Sequence, residues 1–141
     1  MSHSPATEPQ QAGSSTDQLT AANTEVIAQF ARLMYAERDP AAAFEQFVSP
    51  DYVQHNPMLP DGREAAVAFL VPLYTAPGST FEIQRVLVDG DLAAVHLRAH
   101  PAGRPVLAVA DFYRLADGLI VEHWDAIQPI PEASANDHPM F

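Results

Sequence analysis

Residues 111–125, Asp-Phe-Tyr-Arg-Leu-Ala-Asp-Gly-Leu-Ile-Val-Glu-His-Trp-Asp, hold the side chains best suited to proton transfer. Asp117-Gly118 signals a tight turn between two strands. Alternation along the second strand puts Val121, His123 and Asp125 on one face and Glu122, Trp124 and Ala126 on the other. On the first strand Asp111 shares a face with Val109 and Tyr113. A carboxylate beside an imidazole, set among apolar neighbours, suits general acid–base catalysis. Burial moves a carboxyl toward the working range of a base, and an imidazole can donate to a developing oxyanion. Asp125 is the first candidate for the base, with His123 and Asp111 assisting. Asp111 also fits a buried ion pair with Arg98 or His123.

A second polar stripe lies on residues 92–100. Its even positions are His96, Arg98 and His100, and its odd positions Ala93, Val95, Leu97 and Ala99. With the even face inward, these three join Asp111, His123 and Asp125 across adjacent strands, and His55 closes the cluster from its mouth. His55, His96, Arg98 and His100 are thus the polar candidates for substrate contact. Tyr52 and Trp124 are the aromatic ones, although Trp124 equally suits a core or dimer contact. His123-x-Asp125 with His55 or Asp111 supplies three possible metal ligands. No HExxH or Cys/His spacing accompanies them, so no metal is expected. Nucleotide loops and a GxSxG elbow are likewise missing from the sequence.

These residues need elements to hold them. Thr16 or Asp17 can cap a first helix, in which Leu19, Val26, Ile27, Phe30, Leu33 and Met34 recur at helical spacing through about Ala36. Asp39-Pro40 starts a short second helix to about Val48. Asp51 to Pro57 reads as strand running into a Pro-rich loop. Asp61 and Glu64 have capping-box spacing for a third helix to about Tyr74, with Pro72 kinking or ending it. The period then changes. Strands are expected over 81–89, 92–100, 106–115 and 119–128, with a turn at Asp89-Gly90. Helices followed by an antiparallel meander make an α+β fold, in which a curved sheet and three helices enclose a pocket.

The totals limit the partners. The chain has 141 residues, is 48% hydrophobic and carries a formal net charge of −11 with only 7 basic residues. That suits one domain, read as residues 17–130 between an N-terminal disordered tail and a loose C-terminal one. It argues against nucleic acid and against an anionic membrane surface. No cysteine is present, so there is no thiolate nucleophile or disulfide. With no signal-peptide pattern and no long apolar run, a cytoplasmic protein is expected.

Two blocks carry a family resemblance: Tyr52-Val-Gln-His-Asn-Pro57 with Pro60-Asp-Gly62, and Asp111-Phe-Tyr-Arg114 with Gly118-Leu-Ile-Val-Glu-His-Trp-Asp125. The chain resembles the SnoaL-like, polyketide cyclase-like family of the NTF2-like superfamily over roughly residues 17–130. The resemblance implies a cone-shaped fold, a homodimer built on the outer face of the sheet, and cofactor-free chemistry on a small hydrophobic ligand. In characterised cyclases of the family, an aspartate on the last strand is the proposed base that starts an intramolecular aldol closure, and Asp125 matches it. A histidine on the neighbouring strand assists there; Asp111 stands at the matching position, which is a departure. Isomerases and lyases share the superfamily. So do limonene-type epoxide hydrolases with an Asp-Arg-Asp set, for which Asp125 and Arg98 fall at two positions and His100 at the third. Non-catalytic binding modules occur as well.

Overall fold

The computed structural model describes residues 14–141. Three helices, α1 (Ser15–Ala31), α2 (Pro40–Phe47) and α3 (Arg63–Thr75), pack on a five-stranded sheet. Its strands are β1 (Val48–Gln54), β2 (Thr80–Asp89), β3 (Leu92–His100), β4 (Leu107–Ala116) and β5 (Leu119–Pro129), in the order β1-β5-β4-β3-β2. Neighbours are antiparallel except β1, which runs parallel to β5. The expected α+β architecture is therefore present, and the first strand begins earlier than the sequence suggested. Of the expected N-terminal tail, residues 1–13 lie outside the described residues.

The cap of α1 is Ser14, whose hydroxyl accepts from the Asp17 amide, so Thr16 and Asp17 lie inside the helix. Helix α1 does not run uniformly to Ala36. After Ala31 it widens into a π-helical turn, Arg32–Ala36, in which the Glu37 amide donates to the Arg32 carbonyl. The extra residue per turn buries Leu33, Met34 and Tyr35 in succession, which a regular amphipathic helix does not do. Such insertions cluster at functional sites, and this one delivers the Tyr35 hydroxyl to Asp111, a residue of the cavity wall. Asp39 caps α2 as expected, accepting from the Ala42 amide. Asp61 does not cap α3. Gly62 stands there at φ 96°, and the Asp61 carboxylate instead accepts from the Gln54 amide at 2.8 Å. That bond pins the end of β1 to the loop before α3. Pro72 sits inside α3 without ending it.

The β4–β5 turn holds Asp117 at φ 51° and Gly118 at φ 77°, both left-handed, as a two-residue turn that follows strand twist requires. A bulge follows at once: Arg114 pairs with Glu122, yet Leu115 pairs with Ile120. Val121 is the extra residue. Ile120 therefore takes the buried place that strict alternation gave to Val121, and beyond the bulge the odd positions face inward. Asn23 in α1 donates to the Gly90 carbonyl, and Thr20 accepts from the Gly90 amide, tying α1 to the β2–β3 turn.

The core lies between the helices and the concave face of the sheet. Phe30, fully buried, meets the rings of Tyr35 at 6.4 Å, Phe44 at 6.0 Å and Tyr113 at 5.2 Å, in tilted or edge-on arrangements. Tyr74 stacks on Phe81 at 3.8 Å.

Candidate active site

A cavity of about 120 Å³ opens between α3, the π-helical turn and the concave sheet. Its wall is mainly aliphatic and aromatic, with Leu70, Leu73, Leu97 and Val109 among its residues. Its polar groups sit together: Tyr52, Gln54, Asn56, Tyr74, Asp111, Tyr113, His123 and Asp125. Few polar groups converging in an apolar pocket are the usual form of a small-molecule site.

Strand register brings the central three together. Asp111 on β4 lies directly opposite Asp125 on β5, so both carboxylates share the concave face. His123 Nε2 lies 2.9 Å from Asp111 Oδ1 and 3.9 Å from Asp125 Oδ2. Asp111 is 7% exposed overall, and its other oxygen accepts from the Tyr35 hydroxyl at 2.6 Å. Because Tyr35 gives its only proton to Asp111, the Tyr113 hydroxyl, 2.6 Å away, donates to Tyr35. Asp125 Oδ2 accepts from Asn56 Nδ2 at 2.7 Å, and Asp125 Oδ1 forms no protein hydrogen bond among the described residues. Asp111, His123 and Asp125 each offer one ligand atom within 4.8 Å of the others. Each side chain is also held by a protein group, through Tyr35, Gln54 and Asn56 respectively.

The expected ring of basic residues is not in the cavity. Val95 lies opposite Asp111, so the odd residues of β3 share its face and Ala93, Val95, Leu97 and Ala99 are buried. His96, Arg98 and His100 therefore point outward, correcting their expected inward orientation. His96 meets Arg85 there, and the Arg98 guanidinium lies 5.9 Å over the Phe141 ring. His55 also faces out: it stacks on Trp124 at 4.8 Å and pairs with Glu122 at 2.7 Å. Trp124 is thus outside the cavity as well. The bonds from His55 and Arg114 hold the Glu122 carboxyl below its usual range. Tyr52, by contrast, is buried and lines the cavity as anticipated.

Sequence reasoning passed over Gln54 and Asn56. The parallel pairing of Gln54 with His123 turns position 54 inward and 55 outward. The signal was the alternation of Tyr52-Val-Gln-His, in which Tyr52 and Gln54 share a face. Asn56 lies beyond the strand, where alternation says nothing.

Burial, reinforced by the Asp111 charge, pushes the hydroxyls of Tyr35 and Tyr113 well above the ordinary phenol value; the same two causes, with Asp125 added, raise Tyr74. Burial pushes Tyr52 up to about 12. These are all four tyrosines of the chain. All four are neutral phenols, of which Tyr35 and Tyr113 donate and Tyr52 accepts from Gln54. Their folded pKa values exceed the unfolded value of about 10, so the folded state holds the phenolic protons more tightly. The stability this represents is fully present below pH 10 and is lost as pH rises above it. A spectrophotometric titration should show no phenolate at pH 10 in the folded protein and a cooperative rise on alkaline unfolding. Reversible ionisation of one tyrosine near pH 10 without unfolding would contradict this placement.

Fold and pocket together define an NTF2-like cone with a polar cluster on its back wall. The chain belongs to the SnoaL-like domain family, whose pattern it matches over residues 26–123. Its fold is that of an NTF2-like protein of unknown function from Mesorhizobium loti, at 25% identity and TM-score 0.67, covering 77% of this chain and 93% of that one. It also resembles a candidate SnoaL-like polyketide cyclase from a Jannaschia species, at 20% identity and TM-score 0.61, covering 84% and 91%. A candidate ketosteroid isomerase from Kribbella flavida gives 23% identity and TM-score 0.60, covering 86% and 85%. No curated protein matches the chain. No helix among the described residues is long and apolar enough to cross a membrane.

Proposed function

We propose that the protein is a cofactor-independent acid–base enzyme that uses Asp125 to remove a proton beside the carbonyl of a small, largely apolar compound. The reaction class is cyclase, isomerase or aldol-type lyase. One observation carries the reading: Asp125 has one oxygen held by Asn56 and the other without a partner among the described residues, at the wall of a mostly apolar cavity. A base needs that arrangement, with its orientation fixed and one lone pair aimed at substrate. Tyr113 lines the same cavity, and its hydroxyl, which donates to Tyr35, can turn to donate to a substrate oxygen instead. The cyclase and isomerase names of the structural neighbours point the same way. Epoxide hydrolysis through Asp125 and Arg98 is not supported, because the register that sets Val95 against Asp111 puts Arg98 on the other face of the sheet.

A structure with a small unreactive ketone bound tests the proposal. The carbonyl oxygen is expected at Tyr113 Oη or His123 Nε2, with the adjacent carbon about 3–3.5 Å from Asp125 Oδ1. A ketone bound with its carbonyl toward the aliphatic wall, away from Asp125, would instead favour a binding module without turnover.

A further inference from the structure

We propose that Gln54 is a positioning residue: it fixes His123 as the Nδ1–H form and so requires one further proton between His123 Nε2 and Asp111 Oδ1. That shared proton is the acid that works with Asp125. Its catalytic use rests on the function proposed above; the proton count does not.

A backbone N–H is a donor whatever the state of the side chains around it. The Asn56 backbone N–H points at one side-chain atom of Gln54, at 2.9 Å. An N–H needs an acceptor, so that atom is the amide oxygen. The amide nitrogen then faces the Tyr52 hydroxyl at 2.9 Å and donates to it. The same Gln54 oxygen lies 2.8 Å from His123 Nδ1. Two acceptors do not bond each other, so Nδ1 carries a proton. In a neutral ring Nε2 would then be a bare lone pair, yet it sits 2.9 Å from a carboxylate oxygen. Tyr35 already donates to the other oxygen of Asp111. Only a proton between Nε2 and Oδ1 makes the contact attractive.

The same reasoning fixes Asp125. The Met58 amide donates to the Asn56 side-chain oxygen at 2.8 Å, so Asn56 presents its NH₂ to Asp125 Oδ2, which is therefore an acceptor. The titratable groups around His123 are Asp111 and Tyr113 from β4, Asp125 from β5, Tyr35 from the π-helical turn and Tyr74 from α3. No arginine lines the cavity among the described residues. Two carboxylates set opposite each other repel, and a positive centre between them offsets this. In turnover, Asp125 gains the carbon-bound proton as the shared proton moves to the substrate oxygen. The number of protons in the site stays constant, and the return transfers restore it.

The test is long-range ¹H–¹⁵N NMR of the full chain labelled at histidine, recorded at pH 7.5. His123 Nδ1 is expected at a pyrrole-type shift in the parent. In Gln54→Leu the ring has no acceptor at Nδ1, so the tautomer reverses and Nδ1 moves to a pyridine-type shift. Gln54→Glu keeps an acceptor for both donors and should restore the parent shift, which a merely structural role for Gln54 does not predict. A pyridine-type Nδ1 in the parent overturns the proposal. So does a Gln54→Leu spectrum like the parent's. Should Gln54→Leu fail to fold, the parent and Gln54→Glu still decide it. Addition of Zn²⁺ or Fe²⁺ is expected to leave the His123 signals unchanged. A stoichiometric shift of Nε2 would place a metal ion, not a proton, between the acceptors and would also overturn it. None of these spectra depends on turnover or on the ketone pose, so the two proposals fail separately.

Discussion

Asp125→Asn is expected to lower turnover by about 10²–10⁴-fold, the usual contribution of a general base, while the protein stays folded. The substitution preserves shape. Asn56 still finds an acceptor, because the new amide can present its oxygen where Oδ2 stood. The amide NH₂ then faces the cavity, where it can donate but cannot take up a proton. Stability should change little, since the repulsion between the two opposed carboxylates and the attraction of Asp125 to His123, 3.9 Å away, are lost together. A thermal melt separates the cases. Lost turnover with an unchanged melting temperature assigns Asp125 to chemistry, and lost turnover with a large fall in melting temperature assigns it to structure.

Phe30→Ala is expected to have the largest effect on stability, a loss of about 3–5 kcal/mol. Phe30 is fully buried and touches three aromatic rings from different elements: Tyr35, Phe44 and Tyr113. Few groups can shift to fill the void, because each neighbour is itself packed against a further ring: Tyr35 on Tyr74, Phe44 on Tyr52 and Tyr113 on His123. For a domain of this size the loss corresponds to a fall of roughly 10–20 °C in melting temperature. The cavity should suffer too. Tyr35 and Tyr113 lose the packing that aims their hydroxyls along the chain to Asp111. Chemical denaturation reads the stability. A loss below about 1 kcal/mol would show that the aromatic cluster is loosely packed, against the contacts described.

Much of this site could be read from alternation alone. Asp111, Tyr113, His123 and Asp125 were placed on one face because β4 and β5 are regular where those residues sit. The bulge at Val121 falls nearer the turn and displaces only its own neighbours. The inward placement of His96, Arg98 and His100 failed for a physical reason. Residues directly opposite in paired strands share a face, and the register that sets Val95 against Asp111 cannot be seen in one strand's sequence. The simpler rule, apolar residues inward, gave the right answer for β3. The polar partners come instead from Tyr35, Gln54 and Asn56, on a helix end, an edge strand and a loop. Tyr35 depends on a π-helical turn that helical periodicity does not announce, and Asn56 on a loop with no periodicity at all. His55 is an imidazole next to the site in sequence, but the parallel pairing of β1 with β5 turns its neighbours inward and His55 out.

On the proposed function, Asp125 abstracts a proton next to a carbonyl group inside this cavity. The most direct measurement is exchange of α-protons in D₂O, followed by NMR for a panel of small alicyclic and branched ketones, with the parent and Asp125→Asn side by side. Accelerated exchange of at least one ketone by the parent, falling to the buffer rate in Asp125→Asn, is the predicted result. Exchange that persists in Asp125→Asn, or a parent that accelerates none of the panel, would contradict it.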